Sequence, residues 1–148
     1  MVDSDLLGWA WLAGLLDGDG YLTILPRTTY STLRSFRATI MISMTTREPL
    51  DKAVLVTKVG RVLQQKTPTK TGKPIYTWRI EAQQAGEACK RLLPYLTLKK
   101  PQAELIILLC ENQSHDKSKT TVSPEDLQLR YSLADRIKLL HDRRVATK

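Results

Sequence analysis

Sulfur and imidazole are scarce in this chain of 148 residues, which has two cysteines and two histidines. Cys89 and Cys110 stand in apolar helical patterns with no CxxC or Cys/His spacing. Neither a disulfide framework nor a zinc site is readable, and both read as buried free thiols of an intracellular, reducing compartment. His115 and His141 fall in a linker and a basic tail, without a ligand partner at metal spacing. Long apolar runs are also missing: Leu6 to Leu16 is far shorter than the roughly 20 residues a membrane span requires. Asp3 and Asp5 occupy the place where a secretory signal would be basic, so no membrane is expected as a partner. Nothing points to a small-molecule cofactor. Negative charge is the remaining shortage, with 15 Asp and Glu against 23 Lys and Arg and a formal charge of +8. Such an excess favours a polyanionic partner.

The acids are absent from particular places. Residues 21–45 and 60–80 alternate with period two, as strands with one buried face do, and contain no Asp or Glu but eight basic residues. Leu22, Ile24, Ala38, Ile40, Ile42, Tyr76, Trp78 and Ile80 form the expected core face. The other face carries Tyr21, Thr23, Leu25 and Arg27 from a first strand and Arg37, Thr39, Met41, Ser43 and Thr45 from a second. Arg61, Gln65 and Thr67 come from a third strand, and Ile75, Thr77 and Arg79 from a fourth. Thr29, Arg34, Lys70 and Lys73 lie in or beside the connecting tips. A solvated sheet would mix charge signs. A twisted antiparallel sheet of this composition can lie in a major groove, where arginine pairs with guanine and threonine methyls meet thymine. With about eight phosphates neutralised by a dimer, log K against log salt would slope by roughly −7.

Helices punctuate the strands. Thr46-Arg47-Glu48-Pro49 opens one, with Thr46 as its expected cap, and Ala85 to Leu93 is amphipathic. Gln102 to Glu111 is apolar on nearly every side, and Ser123-Pro124-Glu125-Asp126 starts a last helix running to about 142. Ahead of them all, a helix over about 5–17 ends in LAGLLDGDG, Leu12 to Gly20. Ala10, Ala13 and Gly14 leave a smooth strip on which another helix backbone could lie closely. Asp17 and Asp19 stand at its C-terminal end, where a carboxylate opposes the helix dipole unless a cation offsets it. A calcium loop starting at Asp17 is excluded, because its turn glycine and a ligand position fall on Leu22 and Tyr21.

LAGLLDGDG resembles the motif of the LAGLIDADG homing endonucleases, departing from it only at Leu16 and Gly18. The resemblance implies an α+β, αββαββα fold with a four-stranded antiparallel DNA-binding sheet, a saddle in the dimer, and extra C-terminal helices. One motif copy in a single domain, 1–148, implies a homodimer in which two motif helices pack about a two-fold axis through Ala10, Ala13, Gly14 and Asp17. It further implies that Asp19, aided by the Gly18 carbonyl, holds magnesium, with manganese as the alternative. Lys99 would reach the active site, with Lys100 as its competitor, and Thr46 would order the water network. A lysine near a helix start is electrostatically poor and calls for an anion such as phosphate. Site-specific, metal-dependent cleavage of both strands of a long, near-palindromic duplex DNA is the implied function. The alternatives are an intron maturase, whose partner is intron RNA, and a non-catalytic DNA-binding protein.

Overall fold

The computed structural model describes residues 4–28, 34–66, 70–118 and 122–146. In chain order, α1 (Ser4–Asp19) leads to strands β1 (Gly20–Thr28) and β2 (Arg34–Met44), then α2 (Glu48–Thr57), β3 (Arg61–Gln64) and β4 (Tyr76–Glu81). Helices α3 (Ala82–Leu92) and α4 (Lys100–Gln113), a 3-10 turn (Ser114–Ser118) and α5 (Pro124–Ala146) complete it. The αββαββα order with added C-terminal helices is the one expected. Both the motif helix and the last helix run longer than their sequence signals suggested, while β3 and β4 are shorter. The linker expected around His115 contains the 3-10 turn.

All strand pairs are antiparallel, in the order β1-β2-β4-β3. Period-two alternation places Leu22, Ile24, Phe36, Ala38, Ile40, Ile42, Trp78 and Ile80 on one buried face. The helices complete the core with Trp9, Leu12, Leu16, Leu50, Leu92, Ile106 and Leu109. A fully buried leucine contributes about 1.5–3 kcal/mol by removal from water. Glycine is required where α3 approaches α4, because a Cβ on Gly86 would stand 2.7 Å from Cys110 Cβ. Cys89 and Cys110 are buried and not disulfide-bonded. Burial pushes the Cys110 thiol up to about 11 and raises Cys89 further, so both are inert thiols.

Helix α5 packs along β1, an edge strand that would otherwise be open to pairing. Its start is capped as the sequence indicates, with Asp126 N–H donating to Ser123 Oγ at 3.1 Å. Tyr131 meets Phe36 edge-on at 4.8 Å, and ten residues later His141 stacks on Tyr21 at 4.6 Å. A buried Arg130 joins α5 to the preceding segment through Asn112 at 2.7 Å and Asp116 at 2.9 Å. No helix among the described residues is long and apolar enough to cross a membrane.

Candidate nucleic-acid interface and motif site

Helix α1 is apolar on most sides, yet its two faces differ. Trp9, Leu12, Ala13 and Leu16, spaced i, i+3, i+4 and i+7, are buried in the chain's own core. Ala13 is fully buried there, so its expected place on the smooth strip is corrected. The outward strip runs through Leu7, Ala10, Gly14 and Gly18. Leu7 is 57% exposed, and a Cβ added at Gly14 or Gly18 would meet nothing within 4 Å. Trp11 is half-buried beneath Lys52, whose ammonium sits 4.3 Å from the ring centroid. Leu6 and Leu7 likewise face outward.

The end of α1 is tied to the turn before α4. Asp17 accepts backbone N–H bonds from Thr97 at 2.9 Å, Leu98 at 3.0 Å and Lys99 at 2.9 Å. Placed by the resemblance at the dimer seam, this carboxylate is engaged within its own chain, where it ties down the turn that precedes α4. Lys99 answers in the other direction. The residue is 5% exposed, and Nζ donates to the carbonyls of Leu16 at 2.7 Å and Asp17 at 3.1 Å. The negative partner that its position demands is therefore the carbonyl end of α1. Lys100 is exposed.

Asp19 follows, exposed at the last residue of α1, and Gly20 begins β1 without a loop. A Cβ on Gly20 would stand 2.7 Å from Leu16 Cα and 2.9 Å from its carbonyl oxygen, so only glycine permits this direct turn from helix to strand. Gly20 pairs with Ile42, which puts Asp19 at the end of the sheet where β2 finishes and β4 begins. Thr46 lies beyond that same end, exposed. It does not cap α2: the cap position is Arg47, without a side-chain cap bond. Arg47 is held by Asp51 at 3.3 Å and lies near the Tyr76 ring, while Leu50 is fully buried.

The open face of the sheet extends from this end. Tyr21, Leu25, Met41, Ser43, Thr77, Arg37, Arg61 and Arg79 are at least partly accessible on it. The Ser43 and Thr77 hydroxyls share a 2.7 Å hydrogen bond. Thr23 and Thr39, expected to contact DNA, are 4% and 2% exposed. They pair across β1 and β2, where the longer same-face side chains at 21, 25, 37 and 41 shield them. Thr45 and Gln65 are exposed just beyond strand ends, and Gln65 N–H extends the β3 pairing to the Ile75 carbonyl. Lys70 and Lys73 are exposed near the β3–β4 tip. Thr29 and Thr67 lie outside the described residues, as do the side chains of Arg27 and Arg34.

Two features of this face were missed. Leu63 is 55% exposed and lines an open groove of about 460 Å³ with Arg61, Gln65, Thr77, Arg79 and Glu81. The Arg61-Leu63-Gln65 alternation carried that signal. Glu81, one residue past the acid-free window, pairs with Arg37 at 2.8 Å and Arg79 at 3.8 Å. Arg61 and Arg79 stand directly opposite on neighbouring strands, a like-charge pairing that is unfavourable unless an anion approaches.

The donor set at Asp19 suits a shared hard cation. Among the described residues there is no group of three His, Cys, Asp or Glu able to hold a metal. The chain offers one exposed carboxylate there, beside the open Gly18, which leaves room for further oxygen ligands.

No family model matches the chain. The DNA endonuclease I-CvuI of Chlorella vulgaris is 27% identical over 141 residues, which span 93% of this chain and 82% of that relative. A crystal structure of the homing endonuclease I-CvuI in complex with its target, in the presence of calcium, superposes with a TM-score of 0.78 at 25% identity. The match covers 93% of this chain and 83% of that one. A second I-CvuI structure, with an I-CreI target and magnesium, holds DNA that is not cleaved. The archaeal intron-encoded homing endonuclease I-Vdi141I, complexed with DNA, is alike in fold alone, with a TM-score of 0.76 at 11% identity over 93% of this chain and 86% of that one.

Proposed function

We propose that the chain is a single-motif LAGLIDADG homing endonuclease, working as a homodimer that cuts both strands of a long, near-palindromic duplex DNA; its LAGLLDGDG motif and its likeness to I-CvuI in sequence and fold support this. The observation that carries this reading is Asp19. It is an exposed carboxylate at the end of α1, and α1 turns directly into an arginine-bearing antiparallel sheet.

In the proposed dimer the Leu7-Ala10-Gly14-Gly18 strips of two α1 helices pack together about the two-fold axis. Their Asp19 carboxylates then converge over the DNA. Asp19 and the Gly18 carbonyl would hold divalent ions, magnesium being the natural choice for hard oxygen ligands. When bound, such ions neutralise phosphate oxygens and lower the pKa of an attacking water. Lys99 holds the last carbonyls of α1, which fixes where Asp19 projects and offsets the negative end of the helix. Asp17 fixes the turn that carries Lys99. Thr46, at the same sheet end and with its hydroxyl not used as a cap, would bind water beside the phosphate. Arg37, Arg61, Arg79 and the hydroxyls of Ser43 and Thr77 orient the duplex and read its edges.

The test is cleavage selection from a randomised duplex library with magnesium, repeated with calcium. Asp19→Asn is expected to abolish cutting while leaving specific binding largely intact. An Asp19→Asn protein that still cuts would show the site to be misplaced. Selective binding by the wild type without any cleavage would favour a regulator.

A further inference from the structure

Glu81 is the only acid in any strand among the described residues, and it stands on the face assigned above to DNA. Its Oε2 accepts from Arg37 Nη1 of β2 at 2.8 Å, and its Oε1 lies 3.8 Å from Arg79 Nη1 on its own strand. Arg79 is also steered by Met41, whose sulfur lies 3.5 Å from Nη2. Glu81 is register partner to Thr39, a short side chain that leaves room for the carboxylate to reach diagonally to Arg37. Side-chain exposures are 39% for Arg37, 51% for Arg79 and 26% for Glu81, so the arginines remain accessible while the acid is the most sheltered of the three.

Pairs this exposed contribute little to stability, and an acid facing phosphate repels it. Neither stability nor general affinity therefore accounts for Glu81. A carboxylate that spans two guanidinium groups does restrict their rotation. An arginine held in place loses less freedom when it forms a two-point hydrogen bond with guanine.

Resting on the reading that this face meets DNA, we propose that Glu81 is a positioning residue for sequence recognition. It gives up bulk electrostatic affinity in return for fixed arginines that discriminate bases. The cluster has a defined place. Arg37 lies five residues along β2 from the Gly20 to Ile42 pairing, a run of roughly 17 Å. That is about five base pairs away from the Asp19 end of the sheet, at roughly 3.4 Å per step. In a symmetric dimer the effect must appear twice, at mirrored positions.

The experiment is binding selection from randomised duplexes in calcium for the wild type, Glu81→Gln, Glu81→Asp, Arg37→Ala, Arg79→Ala and the Glu81→Gln/Arg37→Ala double variant. Thermal melting confirms that each is folded. Glu81→Gln is expected to lower the preference at one mirrored pair of positions by about tenfold. At the same time it should raise affinity for unrelated duplex and steepen the salt dependence. Glu81→Asp keeps the charge but cannot span the gap, so it should lose the preference without the change in salt slope. The positions affected should be those lost in Arg37→Ala or Arg79→Ala, and at the positions lost in Arg37→Ala the double variant should lose no more than that single variant. Unchanged preferences in both Glu81 variants overturn the proposal. So does a loss at a position that both arginine variants retain, since the carboxylate would then read a base itself. A wild type that selects no duplex sinks the DNA reading and this inference together, whereas a selective wild type with an indifferent Glu81 sinks this inference alone.

Discussion

Replacing Asp17 with alanine removes the acceptor of three backbone N–H groups at once: Thr97, Leu98 and Lys99, at 2.9, 3.0 and 2.9 Å. The first two bonds are exposed and the third is partly buried. An N–H bonded to a charged acceptor contributes about 1.5–3 kcal/mol when sheltered, and nearer 0.5 kcal/mol when water can replace the partner. The combined loss for Asp17→Ala is then about 3 kcal/mol, a large share of the roughly 5–15 kcal/mol available to a domain. For a chain of this length that corresponds to a fall in Tm of about 6–12 °C. Asp17→Asn keeps one oxygen but not the charge and should lose about half as much. Urea unfolding at fixed protomer concentration measures the change, and amide hydrogen exchange at Leu98 and Lys99 localises it. An Asp17→Ala protein within 0.5 kcal/mol of the parent at unchanged m, with those amides still protected, would refute the idea that this carboxylate holds the turn before α4.

Three further substitutions probe other parts of the molecule. Lys99→Met strips two α1 carbonyls of a donor and should cost about 1.5–3 kcal/mol, while slowing single-turnover cleavage more than it weakens DNA binding. An unchanged rate would confine Lys99 to a holding role. Gly14→Leu adds a side chain where the fold offers open space, and should leave the chain folded but weaken dimerisation at least tenfold by sedimentation. A persistent dimer would move the interface elsewhere. Ala82 has a φ of 58°, a left-handed conformation that is unfavourable for alanine by roughly 1–2 kcal/mol. Ala82→Gly should therefore stabilise the chain by about 1 kcal/mol against urea, and a neutral or negative change would contradict that strain.

What could be read from residues alone follows from which physical signals are local. Period-two alternation gives the side of a strand a residue faces, so Trp78 and Ile80 fell correctly into the core. Depth depends on the height of neighbours on adjacent strands, so alternation alone puts Thr23 and Thr39 among the contact residues although both are buried. The cap at Ser123 is a local hydrogen bond and was legible. On α1 nearly every side is apolar, so the pattern could not tell that Ala13 turns inward while Ala10 and Gly14 turn outward. The Asp17 and Lys99 exchange joins residues more than 80 positions apart. No spacing rule reaches that far. Glu81 escaped because the alternating pattern was closed at Ile80, one residue before the strand ends.

The seamless passage from α1 into β1 through Gly20 leaves no slack between the proposed cutting centre and the first reading strand. Any tilt of the helix against its twin would swing Tyr21 and Leu25 across the groove, and a base change that pushes on β1 would be felt at Asp19. Altering recognition through β1 should therefore disturb turnover. Substitutions at the far edge, in β3 and around Lys70 and Lys73, should leave the proposed scissile chemistry in place.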